Sequence, residues 1–266
     1  GVQLLFLISA LFAILCSILF SFLLSFVSIK FKADQTIVGT ALNTFAIALC
    51  TIVNTSLISK KDSPEIGLSQ FNLMKYLRFN TGNTFVDTAF SGVNSAVVLG
   101  VIAILVLWLM MNKTRFGLRL RACGENPGAA DSVGINVNRM RYTGTAIGCA
   151  AAGFGGFIIF SFFDVFIGNW RIDALGYGFL VLAIEIFGNW KATGIIFASL
   201  FFAFFSAFAP TISAFFSANA INAGVFSQRA FYYMLPYLLA ILSLILFSKH
   251  SHAPKSEGIP YDKSSR

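Results

Sequence analysis

Charged side chains are scarce in this chain of 266 residues. Asp, Glu, Lys and Arg make up 11% of it, whereas a soluble domain carries about a quarter. Apolar residues make up 57%, and the mean hydropathy is +0.78. Such an apolar excess cannot be hidden inside one water-soluble core of this size. The composition therefore excludes a cytosolic enzyme and indicates a chain that lies in a lipid bilayer.

The sequence also lacks the patterns of disulfide, metal and nucleotide sites. Its cysteines are far apart and include no Cys-x-x-Cys pair: Cys16, Cys50, Cys123 and Cys149. Neither a disulfide framework nor a zinc site is predicted, and His250 with His252 has too few further ligands for a metal. No Gly-x-x-x-x-Gly-Lys-Ser/Thr motif occurs, so the chain has no phosphate-binding loop. We expect no bound cofactor, no metal and no ATPase activity in this chain.

The net charge of +8 does not indicate nucleic-acid binding. A nucleic-acid surface needs a contiguous basic stripe with interleaved aromatic residues. Here the Lys and Arg residues stand in short clusters between long uncharged runs. We therefore expect membrane lipid around the chain and no nucleic acid, and we interpret the basic clusters as signals of topology.

Seven runs are interpreted as transmembrane spans, and five of them have about the 20 residues that a helix needs to cross a bilayer. These five also contain no charged residue: 1–29, 35–59, 88–112, 142–163 and 230–248. Two more are 175–188, which contains Glu185, and 192–209, which Pro210 is expected to close. We predict an all-α, polytopic membrane helix bundle with about seven transmembrane helices, forming a single transmembrane domain over 1–266.

Lys and Arg are unequally divided between the two sides of such a bundle. Of the 19 basic residues, 13 lie in 30–34, 113–141, 189–191 and 249–266, and the other 6 lie in the alternate loops. The positive-inside rule makes the first set cytoplasmic, including a loop at 113–141 and a tail at 249–266. The N-terminus of the chain would then be outside, so we expect at least one earlier span in missing N-terminal sequence.

A row of small residues at four-residue spacing marks the span that follows the basic loop. Such a row makes one helix face nearly smooth, so that another helix can approach closely. We predict a helix-packing stripe, the alternative being a surface that lines a substrate path. The stripe consists of Gly144, Gly148, Ala152 and Gly156.

The cytoplasmic loop contains the signals of a short capped helix. Asn126 is a suitable N-cap, Pro127 a suitable first residue and Gly134 a suitable C-terminal stop. Such a helix has about two turns and is not stable alone. Its capping, with arginines on both sides, suggests a surface that docks into another protein, while the alternative is a solvated positive-inside loop. The arginines are Arg119, Arg121, Arg139 and Arg141.

The string TRFGLRLRACGENPGAADSVGINVNRMRY resembles the cytoplasmic coupling loop of permease subunits in the branched-chain amino acid and simple-sugar family of ABC importers. Residues 28–30, 33–43, 176–179, 186–190 and 194 are similar to the same family. The tail at 253–254 and 258–263 and the Gly-Glu-Asn-Pro form of the loop at 124–127 resemble its purine-nucleoside branch. The resemblance implies a non-catalytic permease subunit in a bacterial cytoplasmic membrane. Implied partners are a second, related permease, ATPase subunits that use ATP and Mg²⁺, and an extracytoplasmic substrate-binding lipoprotein.

The resemblance also assigns roles within the loop. A rigid-body motion of the ATPase would pass through the loop helix to the spans. The residues implied in this coupling are Arg121, Gly124, Glu125, Asn126, Pro127, Ala129, Ala130, Gly134 and Ile135. The chain departs from the family at Ala192, where proline is usual, and at Glu185, where a small apolar residue is usual.

A nucleoside has an aromatic base and a polar ribose, so its path needs aromatic faces and amides or hydroxyls. The candidates are Asn43 and Phe179. Asn43 could instead form an interhelical hydrogen bond, and Phe179 could instead contact the core or lipid. Glu185 is either a pathway or proton-relay group or an interfacial carboxylate near Lys191. The rival functions are an ABC permease for a simple sugar of the ribose or galactose type, and a proton-coupled secondary transporter.

Overall fold

A computed structural model describes residues 2–53, 56, 65–67, 95–161, 165–167, 177–218, 234–247 and 252–261. The chain divides into two compact units. The first comprises Gly1–Ile172 with Ser256–Arg266, and the second comprises Asp173–Lys255. The prediction that 1–266 forms one transmembrane domain remains a prediction.

Helices account for most of the described residues. In chain order they are α1 (Val2–Ser25, continued by a π-helical turn Phe26–Lys30), α2 (Gln35–Val53), α3 (Ser95–Lys113), α4 (Arg115–Glu125), α5 (Pro127–Ser132), α6 (Val137–Ser161), α7 (Tyr177–Phe187), α8 (Ala192–Ala218) and α9 (Leu235–Phe247). Each predicted span overlaps one of these helices, and α4 and α5 lie between predicted spans. The fold class, an all-α bundle of apolar helices suited to a membrane, is confirmed.

Three described helices are long and apolar enough to cross a membrane: Leu7–Lys30, Gln35–Val53 and Val137–Ile159. A fourth span would be the pair α3 and α4, if these two helices, which meet at 69°, are counted together. Large apolar side chains such as Phe12 and Ile245 are about two-thirds exposed, as expected for helices that face lipid. The total of seven spans remains a prediction.

The first unit is held together chiefly by α1 against α6. Gly153 allows this close approach, because a Cβ there would lie 2.6 Å from the Cβ of Ser17 and 2.9 Å from the carbonyl oxygen of Ala13. The Ser17 hydroxyl donates to the carbonyl of Cys149, and the hydroxyls of Ser25 and Thr145 share a hydrogen bond of 2.7 Å. Small residues and hydroxyls are the usual means of joining helices in lipid, where burial of apolar surface provides no driving force.

Helix α2 begins at an N-cap aspartate. The carboxylate of Asp34 accepts hydrogen bonds from the backbone N–H groups of Thr36, at 2.7 Å, and Ile37, at 3.4 Å. These two groups are among the helix-end donors that have no intrahelical partner. The hydrogen bonds to the backbone of Thr36 and Ile37 lower the pKa of Asp34.

The second unit packs α7, α8 and α9 around a fully buried Phe202. Helices α7 and α8 are joined by a tight corner in which Asn189 and Trp190 have positive φ. Glycine is needed on both sides of the corner, because a Cβ on Gly188 would lie 2.6 Å from the backbone nitrogen of Ile195. A Cβ on Gly194 would lie similarly close to the backbone of Gly188.

The structure corrects one predicted helix boundary and adds a short β-ladder. Helix α8 continues through Pro210 to Ala218, so the expected stop at Pro210 is wrong. A membrane helix tolerates proline when side chains or neighbouring helices compensate for the lost backbone hydrogen bond. The β-ladder pairs β1 (Glu65–Gly67) antiparallel to β2 (Val165–Ile167), with Ile66 opposite Phe166.

Candidate functional site

The candidate coupling site begins at the corner between α3 and α4. Thr114 is the N-cap of α4: its hydroxyl oxygen accepts a hydrogen bond from the N–H of Gly117 at 3.3 Å and donates to the carbonyl of Met110 at 2.5 Å. Helix α4 was not among the helices predicted from the sequence. Thr114, followed by apolar side chains at 116, 120 and 123, was the signal for it.

Gly117 allows the two helices to meet closely. A Cβ on this residue would lie 2.6 Å from the carbonyl oxygen of Met110 and closer still to that of Met111. Arg121 then reaches back across the corner, and its Nη2 donates to the carbonyl of Met111 at 2.9 Å. The guanidinium thus satisfies a carbonyl at the C-terminus of α3, where cations are favoured. Arg121 therefore fixes the geometry of the corner.

The predicted short helix is α5, and its predicted caps are confirmed. The Asn126 side-chain oxygen accepts from the N–H of Ala129 at 3.0 Å, and Pro127 is the first helical residue. Gly134 has a φ of 85°, which suits glycine. The N–H of Ile135 donates to the carbonyl of Ala130 at 3.0 Å, the pattern of a Schellman C-terminus.

A small buried cluster attaches α5 to its neighbours. It consists of Cys123 from α4, Ala130 from α5 and Val137 from α6, each at most 3% exposed. Tyr261 of the C-terminal tail packs against it, as do Ile135 and Met140. Burial raises the pKa of the Cys123 thiol, and the positive charge of Arg141 opposes part of this effect.

The opposite face of α5 is open to solvent. Ala129 and Ser132 are exposed, and Val133, just after the helix, is 75% exposed. A cavity of about 480 Å³ lies beside this end of α5, with Asp131 and Tyr261 among its lining residues. The site therefore has a buried side that anchors it to the chain and an exposed, weakly polar side that a partner could contact.

The remaining coupling-loop residues act through their backbone or lie at the surface. The carbonyl of Gly124 accepts a hydrogen bond from the N–H of Ser256 at 3.0 Å. Glu125, the last residue of α4, is exposed. Together, α4, α5 and the turn that follows α5 contain all nine predicted coupling residues in one continuous segment of the first unit.

The predicted packing stripe on α6 lies beside the face that contacts α1. A Cβ on Gly144 would meet the Leu120 side chain of α4 at 2.8 Å, whereas Gly148 and Gly156 have no described atom within 4 Å of a Cβ, and Ala152 is exposed. The contacts with α1 are made by a neighbouring row, shifted by one residue, at 145, 149 and 153. That the whole predicted stripe packs against another helix remains a prediction.

The pathway candidates belong to different units. Asn43 is exposed in the middle of α2, a helix in which no described residue is buried. Phe179 is the third residue of α7, but its side chain lies outside the described part of the structure. Glu185 is half-buried two residues before the end of α7, and its carbonyl accepts a hydrogen bond from the N–H of Trp190 at 3.2 Å.

The chain belongs to the family described as branched-chain amino acid transport system / permease component, which it matches over residues 1–244. It is thus a transmembrane permease subunit and a multi-pass membrane protein. It is 33% identical to the guanosine ABC transporter permease protein NupQ of Bacillus subtilis, over 97% of this chain and 78% of that protein. It is 32% identical to the nucleoside ABC transporter permease protein NupC of Lactococcus lactis subsp. cremoris, over the same shares. No solved structure matches the chain significantly.

Proposed function

We propose that this chain is the transmembrane subunit of an ATP-driven importer that carries nucleosides across the cytoplasmic membrane. The observation that carries the proposal is the similarity to two permease proteins of nucleoside and guanosine ABC transporters over 97% of the chain. Sugar permeases are the second candidate. A putative glucose ABC transporter permease protein, TsgC13 of Haloferax volcanii, is 23% identical over 85% of this chain and 68% of its own length.

Contacts between loops support the predicted topology. Strands β1 and β2 pair with each other, and the basic-residue count places both of their loops outside the cytoplasm. The tail contacts the loop 113–141 through Ser256 and Gly124, and both segments belong to the cytoplasmic set. Each observed pairing thus joins loops that the positive-inside rule assigns to one side. The topology we propose has seven spans in this chain and a cytoplasmic C-terminus.

The two faces of α5 support a docking role. Ala130 is buried against the chain while its neighbour Ala129 is exposed. A solvated loop would not need a capped helix. A capped helix that is attached on one side and open on the other suits a groove in an ATPase subunit. The chain itself binds no cofactor in this proposal, because the partner ATPase uses ATP and Mg²⁺.

The exposed amide of Asn43 supports a place for α2 on the substrate path or against the second permease. The hydroxyls of Thr40, Thr44 and Thr51 donate to carbonyls of their own helix, so lipid could cover them. The Asn43 carboxamide has two N–H donors and one acceptor, and a single backbone carbonyl cannot satisfy all three. Contact of this side chain with lipid is therefore costly. We propose that Asn43, with Phe179 as an aromatic candidate, contributes to nucleoside passage.

The second permease in this proposal is a relative of the chain. The guanosine ABC transporter permease protein NupP of Bacillus subtilis is 26% identical over only 42% of this chain. The nucleoside ABC transporter permease protein NupB of Lactococcus lactis subsp. cremoris is 29% identical over 45%. In each of the two organisms, one permease protein is much more similar to this chain than the other, which favours a pair of two different permeases. ATPase subunits and a substrate-binding lipoprotein complete the proposed complex.

Uptake of labelled guanosine and adenosine tests the function. Cells should express the chain with its second permease, ATPase and binding protein, with unlabelled ribose as competitor. We expect uptake that requires ATP hydrolysis and does not respond to ribose. Inhibition by ribose would move the assignment to sugars, and uptake that persists with an inactive ATPase would indicate a secondary transporter.

The variant Ala129→Arg tests the coupling site. Arginine on the exposed face leaves the buried cluster intact but places a bulky charge where the ATPase would dock. We expect normal membrane insertion and at least about a tenfold loss of uptake, with Ala129→Ser as the matched control. Normal uptake by Ala129→Arg would refute docking at α5.

A further inference from the structure

The C-terminal tail lies against the coupling loop, although more than a hundred residues separate the two segments. The N–H of Ser256 donates to the carbonyl of Gly124 at 3.0 Å, and the Ser256 hydroxyl is 3.5 Å from the carbonyl of Glu125, to which it donates. Arg141 at the start of α6 donates through Nη1 to the carbonyl of Ile259 at 3.1 Å. Residues 256–261 therefore contact both helices that flank α5.

The contact at Ser256 satisfies the end of α4. The last four carbonyls of a helix have no intrahelical donor, and those of Gly124 and Glu125 are two of them. Both are bonded by one residue of the tail. Because Asn126, the cap of α5, comes next, fixing the last turn of α4 also fixes the direction in which α5 leaves it.

The contact at Tyr261 supports α5 itself. A helix of six residues is too short to be stable alone, and Ala130 is its only buried residue. The Tyr261 side chain packs against the cluster of Cys123, Ala130 and Val137. In so small a cluster, one aromatic side chain supplies a large share of the apolar contact.

A turn in the tail allows the two contacts to form together. The N–H of Ile259 donates to the carbonyl of Ser256 at 3.3 Å, and Gly258, the third residue of this turn, has a φ of 72°. A positive φ at the third position is the feature of a type II turn. The turn reverses the chain, so that Ser256 reaches α4 while Tyr261 reaches the buried cluster.

We propose that residues 256–261 are a positioning element of ATP coupling, in which Ser256 and Tyr261 hold α5 in the orientation that the ATPase subunit binds. The proposal rests on the proposed function. Without the tail, α5 keeps its own caps but loses its fixed orientation on α4 and α6. Motion of the ATPase is then absorbed in the loop and does not reach the spans.

Two truncations of the chain test this in the complete complex, reconstituted with its second permease, ATPase and binding protein in liposomes. One ends at Lys255 and lacks the element, and the matched control ends at Tyr261 and retains it. Guanosine uptake and ATP hydrolysis are measured together. We expect the truncation at Lys255 to reduce uptake per ATP hydrolysed about tenfold, while the truncation at Tyr261 behaves like the full chain.

Labelling of Cys123 reports the position of α5 without any transport. The measurement is the rate at which a maleimide reacts with this buried thiol, in a chain whose other cysteines are replaced by alanine. We expect the truncation at Lys255, and Tyr261→Ala, to raise the labelling rate about tenfold, because local opening exposes the thiol. Tyr261→Phe retains the ring and should label like the full chain.

Two results would overturn the proposal. One is a labelling rate that does not change in the truncation at Lys255, and the other is faster labelling with unchanged uptake per ATP. The variant Ala129→Arg, measured in parallel, distinguishes this proposal from the assignment of the coupling site. Normal uptake by Ala129→Arg would refute docking at α5, whereas protection of Cys123 by the tail is established by labelling alone.

Discussion

Replacing Gly117 by alanine should open the corner between α3 and α4 and weaken coupling. The added methyl group would lie 2.6 Å from the carbonyl oxygen of Met110, whereas ordinary contact begins at 3.4 Å. Relieving this one contact requires a displacement of about 0.8 Å, and the contact with Met111 requires more. Both obstacles are backbone atoms, so no rotation of a side chain can relieve them.

The expected cost can be worked out from three effects. Overpacking typically costs about 1–3 kcal/mol. Opening the corner also weakens the bond from Arg121 to Met111, which is exposed, and such a hydrogen bond contributes about 1 kcal/mol. Alanine has a higher helix propensity than glycine by about 1 kcal/mol, which offsets part of the loss. We therefore expect Gly117→Ala to destabilise the protein by about 2 kcal/mol.

Two other glycines provide matched controls. Gly148→Ala adds the same methyl group where no described atom lies within 4 Å, so it should be neutral or slightly stabilising. Gly144→Ala meets only the end of the Leu120 side chain, at 2.8 Å, which can rotate away. The effect of Gly144→Ala should therefore fall between the other two.

The assay is the melting temperature of the purified complex in detergent, together with nucleoside uptake. A loss of about 2 kcal/mol corresponds to a decrease of about 4–8 °C for a chain of this size. Uptake by Gly117→Ala should fall in parallel, because the displaced corner carries α5 with it. Equal melting temperature and equal uptake in Gly117→Ala and Gly148→Ala would refute the reasoning.

Three further predictions concern other elements. Gly153→Ala should separate α1 from α6 and lower the melting temperature, because the backbone of Ala13 lies 2.9 Å from the new Cβ; an unchanged value would contradict this packing. Glu185→Gln should change nucleoside uptake by less than about twofold if the carboxylate is interfacial; a large loss at unchanged expression would favour a pathway role. The stabilisation of α2 by Asp34 should be complete above the ordinary carboxyl pKa and disappear as the pH falls through its lowered pKa. Asp34→Asn keeps an acceptor and should remove that dependence, as amide exchange at Thr36 can show.

The parts of the site that sequence analysis predicted are those with local causes. Asn126, Pro127 and Gly134 determine α5 through their own backbone and side-chain chemistry, within nine residues. Helix α4 was missed because an arginine-rich string resembles a solvated loop. Its defining feature, the close approach at Gly117, depends on carbonyls at the end of another helix.

The parts that could not be predicted depend on the choice between neighbouring faces and on distant contacts. Small residues occur on α6 in two adjacent rows, one starting at Gly144 and the other at Thr145. Spacing alone cannot decide which row meets α1, and the structure selects the row of Thr145 and Gly153. The bond between Ser256 and the backbone of Gly124 leaves no pattern in the sequence.

Helix α6 connects the two kinds of packing in this unit, which gives the docking proposed at α5 a route to the spans. Its first residue, Val137, is buried in the cluster that anchors α5, where burial of apolar surface stabilises the contact. Its Gly153 touches α1 within the apolar segment, where only close packing and hydroxyl bonds are available. The two residues are about 24 Å apart along one uninterrupted helix. A displacement of α5 therefore has a rigid route to the α1 interface, and loosening either end of α6 should uncouple ATP hydrolysis from uptake.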